Sequence, residues 1–291
     1  MTDIPDPRPF AASAEVALSG EIDGQGLPVV LCHGLTATRR QVLHGSRLLA
    51  KRAHMVVSYD ARGHGQSEPA PPGSGYGYPE LVADLEAVVA TTAGEGSFVI
   101  AGHSMGAHTA VAYALEHPQR LGGLVVIGPV YRGPISDPAE ERRILARWDE
   151  LADGLQKGGV EGFLDAIERQ GLDPGWRDTV LRFTRERMLA HRNPEAVARA
   201  LREVPRSLPF GSLKELERLD LPALVVASHD VADPGHPYAV AQAYAERLPQ
   251  GRLISEAKGE SPLAWQGGRL SREIALFCHQ GAVAERLSRV S

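Results

Sequence analysis

A serine framed by glycines is the residue best placed for nucleophilic chemistry in this chain. Ser104 has Gly102 two positions before it and Gly106 two positions after it. The apolar run before it, residues 98–101, is typical of a buried strand, and residues 107–116 favour a helix. Glycines at such a strand-to-helix turn allow close backbone approach around a strained residue. The pattern predicts a nucleophile elbow, with an exposed hydroxyl facing the N–H groups at a helix start.

An alternation of strands and helices surrounds this turn. The strand-like and helical segments are, in chain order, residues 28–31, 39–51, 55–59, 79–93, 98–101, 107–116 and 123–127. The alternation resumes later with residues 221–227, 237–248, 252–255 and 270–277. It predicts an α/β fold with a mostly parallel central sheet and helices on both faces. Residues 14–22 and the turn after them are typical of an antiparallel edge hairpin. Active sites in such sheets lie at the carboxyl ends of the strands.

The alternation stops over residues 131–212, where the pattern is helical throughout. We interpret this segment as an inserted all-helical cap on a core formed by residues 13–130 and 213–291. Residues 1–12 are expected to be a flexible arm. Apolar residues recur at helical spacing within the cap, among them Trp148, Phe163 and Phe183. Most should pack the cap on the core, and a minority should line a substrate pocket.

Composition restricts the classes of partner. The net charge of −5, with no basic stripe carrying interleaved aromatic residues, argues against a nucleic-acid surface. Cys32 and Cys278 are too few and too far apart for a disulfide framework or a metal-ligand cluster, which favours a reducing cytoplasm. The proline-rich, acidic residues 1–10 resemble neither a signal peptide nor a membrane span. We therefore predict a cytoplasmic protein that acts on a small molecule, without a cofactor, a metal or a membrane; the oligomeric state stays open.

Three motifs in order resemble those of the α/β-hydrolase superfamily. They are a His-Gly loop at residues 32–36, a turn at residues 59–67 and the elbow at residues 102–106. The resemblance extends over residues 29–277. It implies an oxyanion hole built from the backbone N–H groups of Leu35 and Met105. We call residues 32–36 the oxyanion loop. The resemblance also gives structural roles to three histidines in these motifs: His33 supports the oxyanion loop, His64 stabilises its turn, and His103 points away from the serine hydroxyl.

The family's acid is expected in the loop at residues 228–237, which offers two aspartates. Asp233 is the first choice because its setting looks like the family's acid loop entering the next helix. Asp230 lies closer to the strand end and is the alternative. Either aspartate could instead cap the helix or turn the loop through its own side chain.

The general base is where the sequence departs from the family pattern. The family has a Gly-His pair after its last strand, whereas here Glu260 follows Gly259. No histidine lies between His236 and His279, so a small shift of alignment recovers none. His279, after the final helix, is expected at the surface. A serine hydroxyl attacks at neutral pH only if a base within hydrogen-bond reach takes its proton.

Three explanations compete. Glu260 is itself the base, which requires burial and a nearby Asp233 to raise its pKa. Alternatively, a histidine comes from elsewhere, in the order His236, His191 and His229. In the third explanation the triad is incomplete.

The sequence thus predicts a hydrolase of a small apolar ester, lactone or related acyl compound, with Ser104 as nucleophile. The alternative is a non-hydrolytic protein of the same fold. It would bind a ligand, or would be a cofactor-independent lyase or isomerase that uses the oxyanion hole without an activated serine.

Overall fold

The computed structural model describes residues 6–13, 15–229 and 235–288. The two aspartates proposed as the acid, Asp230 and Asp233, lie outside the described residues. Across the described parts of the chain, no helix combines the length and the apolar character needed to cross a membrane.

Eight strands form one sheet in the order β1-β2-β4-β3-β5-β6-β7-β8. They are β1 (Arg8–Ser13), β2 (Ala17–Asp23), β3 (Leu27–Cys32), β4 (His54–Tyr59), β5 (Phe98–His103), β6 (Leu121–Ile127), β7 (Pro222–Val226) and β8 (Gln250–Ile254). The six strands from β4 to β8 along the sheet are parallel, and β1 and β2 form an antiparallel edge. The predicted α/β class is confirmed. The predicted arm over residues 1–12 is wrong from Arg8 onward, because this segment pairs with β2.

Both faces of the sheet are buried, which explains the continuous apolar strand patterns. Successive residues of one strand enter different cores: Ile100 packs into the cluster on one face and Val99 into the cluster on the other. On β6, Val126 packs into the first cluster and Val125 into the second. All four side chains are fully buried, so the central strands are fixed on both sides.

The strand order reverses direction next to β3. From β3 the chain first adds β4 on one side and then β5 on the other. In parallel sheets, this arrangement opens a crevice at the carboxyl ends of the two strands where the order reverses. Cys32 at the end of β3 pairs with Gly102 on β5. The topology therefore brings the oxyanion loop and the elbow side by side.

Eight helices accompany the sheet in the described residues. They are α1 (Tyr78–Thr92), α2 (Met105–Glu116), α3 (Pro138–Arg169), α4 (Arg177–Leu189), α5 (Pro194–Glu203), α6 (Tyr238–Arg247), α7 (Gly267–Cys278) and α8 (Gly281–Ser288). The helix predicted at residues 39–51 is wrong, since only a short 3-10 helix, Ala50–Arg52, forms there. His44 and Gly45 have φ values of 47° and 73°, which no right-handed helix accommodates. Helix α8 was not predicted from the sequence.

Helices α3, α4 and α5 lie within the predicted cap. Helix α3 is broken by Gly159, whose φ of 59° and ψ of −147° divide it into two helical arms. The arms and α5 share a small core that includes Phe163, with Trp148 packed against it. Phe183 on α4 is 57% exposed, so it packs neither on the core nor into a pocket.

Candidate active site

Ser104 occupies a strained position between β5 and α2. Its φ of 52° and ψ of −115° lie outside the regions that residues with a Cβ atom usually adopt. The backbone N–H of Ser104 donates to the carbonyl of Ile127 at the end of β6 (3.0 Å). Such a conformation costs roughly 1–3 kcal/mol and persists only when the surrounding structure enforces it. The surrounding structure therefore holds the serine at the tip of the turn, at the carboxyl edge of the sheet.

The two glycines of the elbow are required by contacts with other backbone. A Cβ atom added to Gly102 would lie 2.1 Å from the carbonyl oxygen of Gly106. One added to Gly106 would lie 2.1 Å from the carbonyl oxygen of Cys32. Real Cβ atoms do not approach backbone so closely. Helix α2 therefore packs directly against the end of β3, which holds the serine against the oxyanion loop.

The oxyanion loop presents its Leu35 N–H through a fixed peptide. The carbonyl of Gly34 accepts hydrogen bonds from the Ala37 N–H (3.0 Å) and from Nδ1 of His33 (2.8 Å). The Gly34 carbonyl and the Leu35 N–H belong to the same trans peptide and therefore point in opposite directions. The two hydrogen bonds to the carbonyl thus orient the Leu35 N–H away from Ala37 and His33. Gly34 also lies against the nucleophile: its added Cβ would be 3.4 Å from Cβ of Ser104.

Met105 supplies the second predicted donor. It is the first residue of α2, so its N–H has no acceptor within the helix. Within the described residues, neither the Leu35 nor the Met105 N–H donates a hydrogen bond. Both N–H groups are thus available beside Ser104, at the positive end of the helix dipole.

His33 and His64 are buried and held by backbone groups. Nε2 of His33 accepts from the Ala61 N–H (2.9 Å), so its proton resides on Nδ1. His64 is hydrogen-bonded through Nδ1 to the carbonyl of Arg62 (2.9 Å). Burial lowers the pKa of His33 to about 4 and that of His64 to about 3. Both rings are therefore neutral at ordinary pH and support loops, in agreement with the roles expected from the sequence.

The structure does not support Glu260 as the base. Its carboxylate is about half exposed and pairs with the Arg269 guanidinium (3.0 Å). The hydrogen bond from Arg269 and a second one from the Ala257 N–H lower the pKa of Glu260. A general base at this position would need a raised pKa, as required above. The shift has the opposite direction because the side chain faces solvent and the Arg269 guanidinium.

His236 is brought to the edge of the sheet that carries Ser104. A Cβ atom on Gly128 would lie 3.3 Å from the ring of His236, and Gly128 directly follows Ile127, which binds the Ser104 backbone. The ring centroid of His236 is 5.1 Å from that of His103. His236 is half-buried at this position. Among the predicted partners that the structure describes, it is the one placed beside the elbow.

The other two candidate histidines, His191 and His229, interact with other groups than Ser104. His191, in the cap, accepts from the Gly65 N–H with Nδ1 and binds the Thr36 carbonyl with Nε2, each at 2.9 Å. Neither ring nitrogen is left to take a proton from a serine. His229 is exposed and stacks on Tyr238, with ring centroids 4.1 Å apart.

Glu256 was missed by the sequence analysis. It is only 3% exposed and lies two residues beyond β8. Its carboxylate accepts from the His229 N–H (2.5 Å), the Leu263 N–H (3.0 Å) and the Ser228 hydroxyl (3.2 Å). Although burial opposes ionisation, these hydrogen bonds lower its pKa. The only signal in the sequence was a carboxylate just after a short strand, which is an ambiguous pattern.

No metal-binding cluster is found in the part of the chain that the structure describes: no three or more His, Cys, Asp or Glu residues are placed to hold an ion. The thiol of Cys32, beside the elbow, is buried, which raises its pKa to about 12 and keeps it protonated. The hydroxyl of Ser104 remains the candidate nucleophile at this edge of the sheet.

Comparison with known proteins assigns the family. Residues 28–260 match the model of the α/β hydrolase fold family, and the chain belongs to it. An esterase from Thermogutta terrifontis superposes with a TM-score of 0.73, at 22% identity, over 94% of this chain and 98% of that one. An enol-lactonase from Burkholderia xenovorans gives a TM-score of 0.68, also at 22% identity, over 97% and 100% of the two chains.

Several proteins with similar sequences are named as hydrolases. Epoxide hydrolase B from Mycobacterium tuberculosis is 36% identical over 111 residues, which are 38% of this chain and 31% of that protein. The chain thus matches about a third of the length of such relatives. A putative carbamate hydrolase, RutD, from Yersinia enterocolitica is 29% identical over 82% of this chain and 84% of that protein. Several of the proteins similar to this chain are thus named as hydrolases.

Proposed function

We propose that this protein is a serine hydrolase that cleaves a small apolar ester, lactone or related acyl compound. The observation that carries the proposal is the strained Ser104 at the head of α2, flanked by the available N–H groups of Leu35 and Met105. Donors in this arrangement stabilise the negative oxygen that forms when a hydroxyl attacks a carbonyl carbon. Each such donor contributes about 3–4 kcal/mol to the transition state in enzymes of this kind.

His236 is the proposed general base. It lies beside Gly128 and His103, on the same edge of the sheet as the nucleophile. Asp233, three residues earlier in the chain, is the proposed acid that orients its ring, with Asp230 as the alternative. This assignment replaces the usual histidine after β8, where Glu260 stands.

The reaction then follows two displacements. The Ser104 oxygen attacks the carbonyl carbon while His236 takes the hydroxyl proton. The tetrahedral oxyanion faces the N–H groups of Leu35 and Met105, and its collapse expels the alcohol, which receives the proton from His236. Water, deprotonated by the same imidazole, cleaves the acyl-enzyme in the second displacement and regenerates the serine.

The similar proteins support the substrate class. An esterase and an enol-lactonase share the fold over nearly the whole chain. The predicted cap packs beside the site, since α5 residues Ala196 and Ala200 share a buried cluster with Met105, and Leu35 packs against the same cluster. Apolar surroundings of this kind favour a small, apolar acyl group.

Turnover of 4-nitrophenyl acetate and butyrate tests the proposal. Ser104→Ala should abolish turnover above the background rate, because the nucleophile is removed. Ser288→Ala, which alters an exposed serine on α8, is the matched control and should behave as the wild-type protein. Equal turnover by the Ser104→Ala and wild-type proteins would refute a serine mechanism.

A second candidate function is favoured by Glu260, which is exposed where the family has its histidine. In this alternative the protein is a ligand-binding protein, or a cofactor-independent lyase or isomerase that stabilises an enolate-like charge without an activated serine. It predicts that esters are not turned over by the wild-type protein. Introducing a histidine by Glu260→His would then create ester turnover, whereas the serine hydrolase proposal predicts turnover before the change.

A further inference from the structure

His191 belongs to the cap by sequence but binds the core through both ring nitrogens. It lies between α4 and α5 and is 8% exposed. Because the Gly65 N–H can only donate, Nδ1 of His191 is the acceptor, and its proton must reside on Nε2. The Nε2–H therefore donates to the carbonyl of Thr36 (2.9 Å), within the oxyanion loop.

Thr36 needs this support because its backbone is strained. Its φ of 66° is in the left-handed region, which is costly for a β-branched residue. It occupies the third position of the turn of residues 34–37, closed by the bond from the Ala37 N–H to the Gly34 carbonyl (3.0 Å). A residue with positive φ at this position is what a type II turn requires. The turn contains Leu35, whose N–H is the proposed oxyanion donor.

The contact is part of a larger docking of the cap. The Arg192 N–H donates to the Gly65 carbonyl (2.9 Å) and its guanidinium donates to the Glu68 carboxylate (3.1 Å), so two adjacent cap residues make four hydrogen bonds with the core. Leu35 packs against the cap cluster as well as against the cluster that joins the cap to the core. The oxyanion loop thus contacts the cap through both its backbone and its side chain.

The site keeps His191 neutral, which the two hydrogen bonds require. Burial and the nearby His64 ring, 5.6 Å away between centroids, lower its pKa to about 4. One nitrogen therefore donates and the other accepts throughout the neutral range.

We propose that His191 is a positioning residue that couples the cap to the oxyanion hole: with the cap seated, its Nε2–H holds the Thr36 carbonyl and thereby fixes the orientation of the Leu35 N–H. The inference rests on the proposed function of Ser104 and Leu35. It assigns the cap a part in transition-state stabilisation in addition to enclosing the substrate.

Replacing His191 by asparagine or by glutamine, which both carry a side-chain amide, tests its two hydrogen bonds one at a time. In His191→Asn, the side-chain oxygen can accept from the Gly65 N–H in place of Nδ1, but no atom reaches Thr36. In His191→Gln, the longer side chain places its amide nitrogen near the position of Nε2, where it can donate to the Thr36 carbonyl. Melting temperatures of both variants are measured first, so that a loss of folding is seen directly.

With 4-nitrophenyl butyrate, we expect kcat of His191→Asn to fall roughly tenfold or more, because a misplaced oxyanion donor weakens transition-state binding. KM should change little, since the ground-state carbonyl gains little from that donor. His191→Gln should recover most of the lost kcat. Equal losses in the two variants, or no loss in either, would overturn the proposal.

Hydrogen exchange of the Ala37 amide provides a readout that does not depend on turnover. This N–H closes the turn of residues 34–37, so it should exchange at least several-fold faster in His191→Asn than in His191→Gln. If the wild-type protein turns over no ester, the proposed function fails, and the exchange rates alone then decide the coupling. Equal Ala37 exchange in both variants would show that His191 does not hold the turn.

Discussion

The ends of β3 and β5 and the ends of β7 and β8 are built in different ways. At the first pair, which we call the nucleophile side, glycine contacts and neutral histidines fix the backbone around Ser104. At the second pair, the acid–base side, one buried carboxylate, Glu256, joins two loops through their N–H groups. The nucleophile side follows the family pattern closely, whereas the acid–base side lacks the family's histidine. The elbow and the His-Gly loop thus keep the family pattern, whereas Glu260 stands at the family's histidine position.

As the pH falls, the nucleophile side should lose its contribution to the free energy of unfolding at a higher pH than the acid–base side. His33, His64 and His191 have pKa values lowered from 6.5 to about 4, 3 and 4. A histidine with a lowered folded pKa contributes its full stability above pH 6.5 and loses it as the pH falls toward the folded value. Between pH 8 and pH 5, a single shift from 6.5 to 4 removes about 2 kcal/mol, so the cluster should lose several kcal/mol.

Urea unfolding at pH 8 and pH 5 checks this effect. The pKa of Glu256 is lowered from 4.5, so its contribution is present above pH 4.5 and disappears only in stronger acid. A free energy of unfolding that stays constant down to pH 5 would contradict the neutral state of the three histidines.

Replacing the proposed base should affect catalysis more than replacing the residue at the family's histidine position. His236→Asn should lower kcat by about 10²–10⁴, the usual contribution of a general base. Glu260→Gln should leave kcat unchanged, since its exposed carboxylate interacts with Arg269. Steady-state kinetics of both variants give the comparison, and the reverse order would return the base to Glu260.

The elbow glycines provide a stability test of the nucleophile side. Gly106→Ala places a Cβ atom 2.1 Å from the Cys32 carbonyl oxygen, between two fixed pieces of backbone. We expect a loss of about 3 kcal/mol in the free energy of unfolding. Gly268→Ala is the matched control, because nothing lies within 4 Å of its added Cβ. Similar melting temperatures for both variants would show that the elbow is less constrained than the contacts indicate.

Glu256 provides the corresponding test of the acid–base side. Glu256→Gln keeps the shape of the side chain but loses the charge that its three donors stabilise. The expected loss at pH 7 is about 1–3 kcal/mol. Urea unfolding at pH 7 and at several values below pH 4.5 should show that the difference between variant and wild type shrinks in acid, because the stabilisation of the charged form is lost progressively there. A difference that is independent of pH would mean that its charge is unimportant.

The sequence predicted the features that depend on local pattern. The alternating strands, the elbow at Ser104 and the cap each follow from a run of neighbouring residues. The helix predicted at residues 39–51 does not form, because the positive φ values of His44 and Gly45 are incompatible with a right-handed helix. The roles of Glu256 and His191 could not be read from the sequence, since their partners lie in other loops and, for His191, more than one hundred residues away.

The proposed general base is a second case in which long-range contacts could not be predicted from the sequence. The sequence left Glu260, a histidine from another loop and an incomplete triad open as explanations, because only the fold places Arg269 beside Glu260 and Gly128 beside His236. Ser104 needed no such long-range information, because its glycines mark the turn directly.

Labelling with a fluorophosphonate tests the central claim that Ser104 is an activated nucleophile. The account predicts one covalent adduct per chain at pH 8, located on Ser104 by peptide mass spectrometry, and slower labelling of His236→Asn. Failure to label Ser104 at any pH from 5 to 10, or an adduct on another residue, would contradict it.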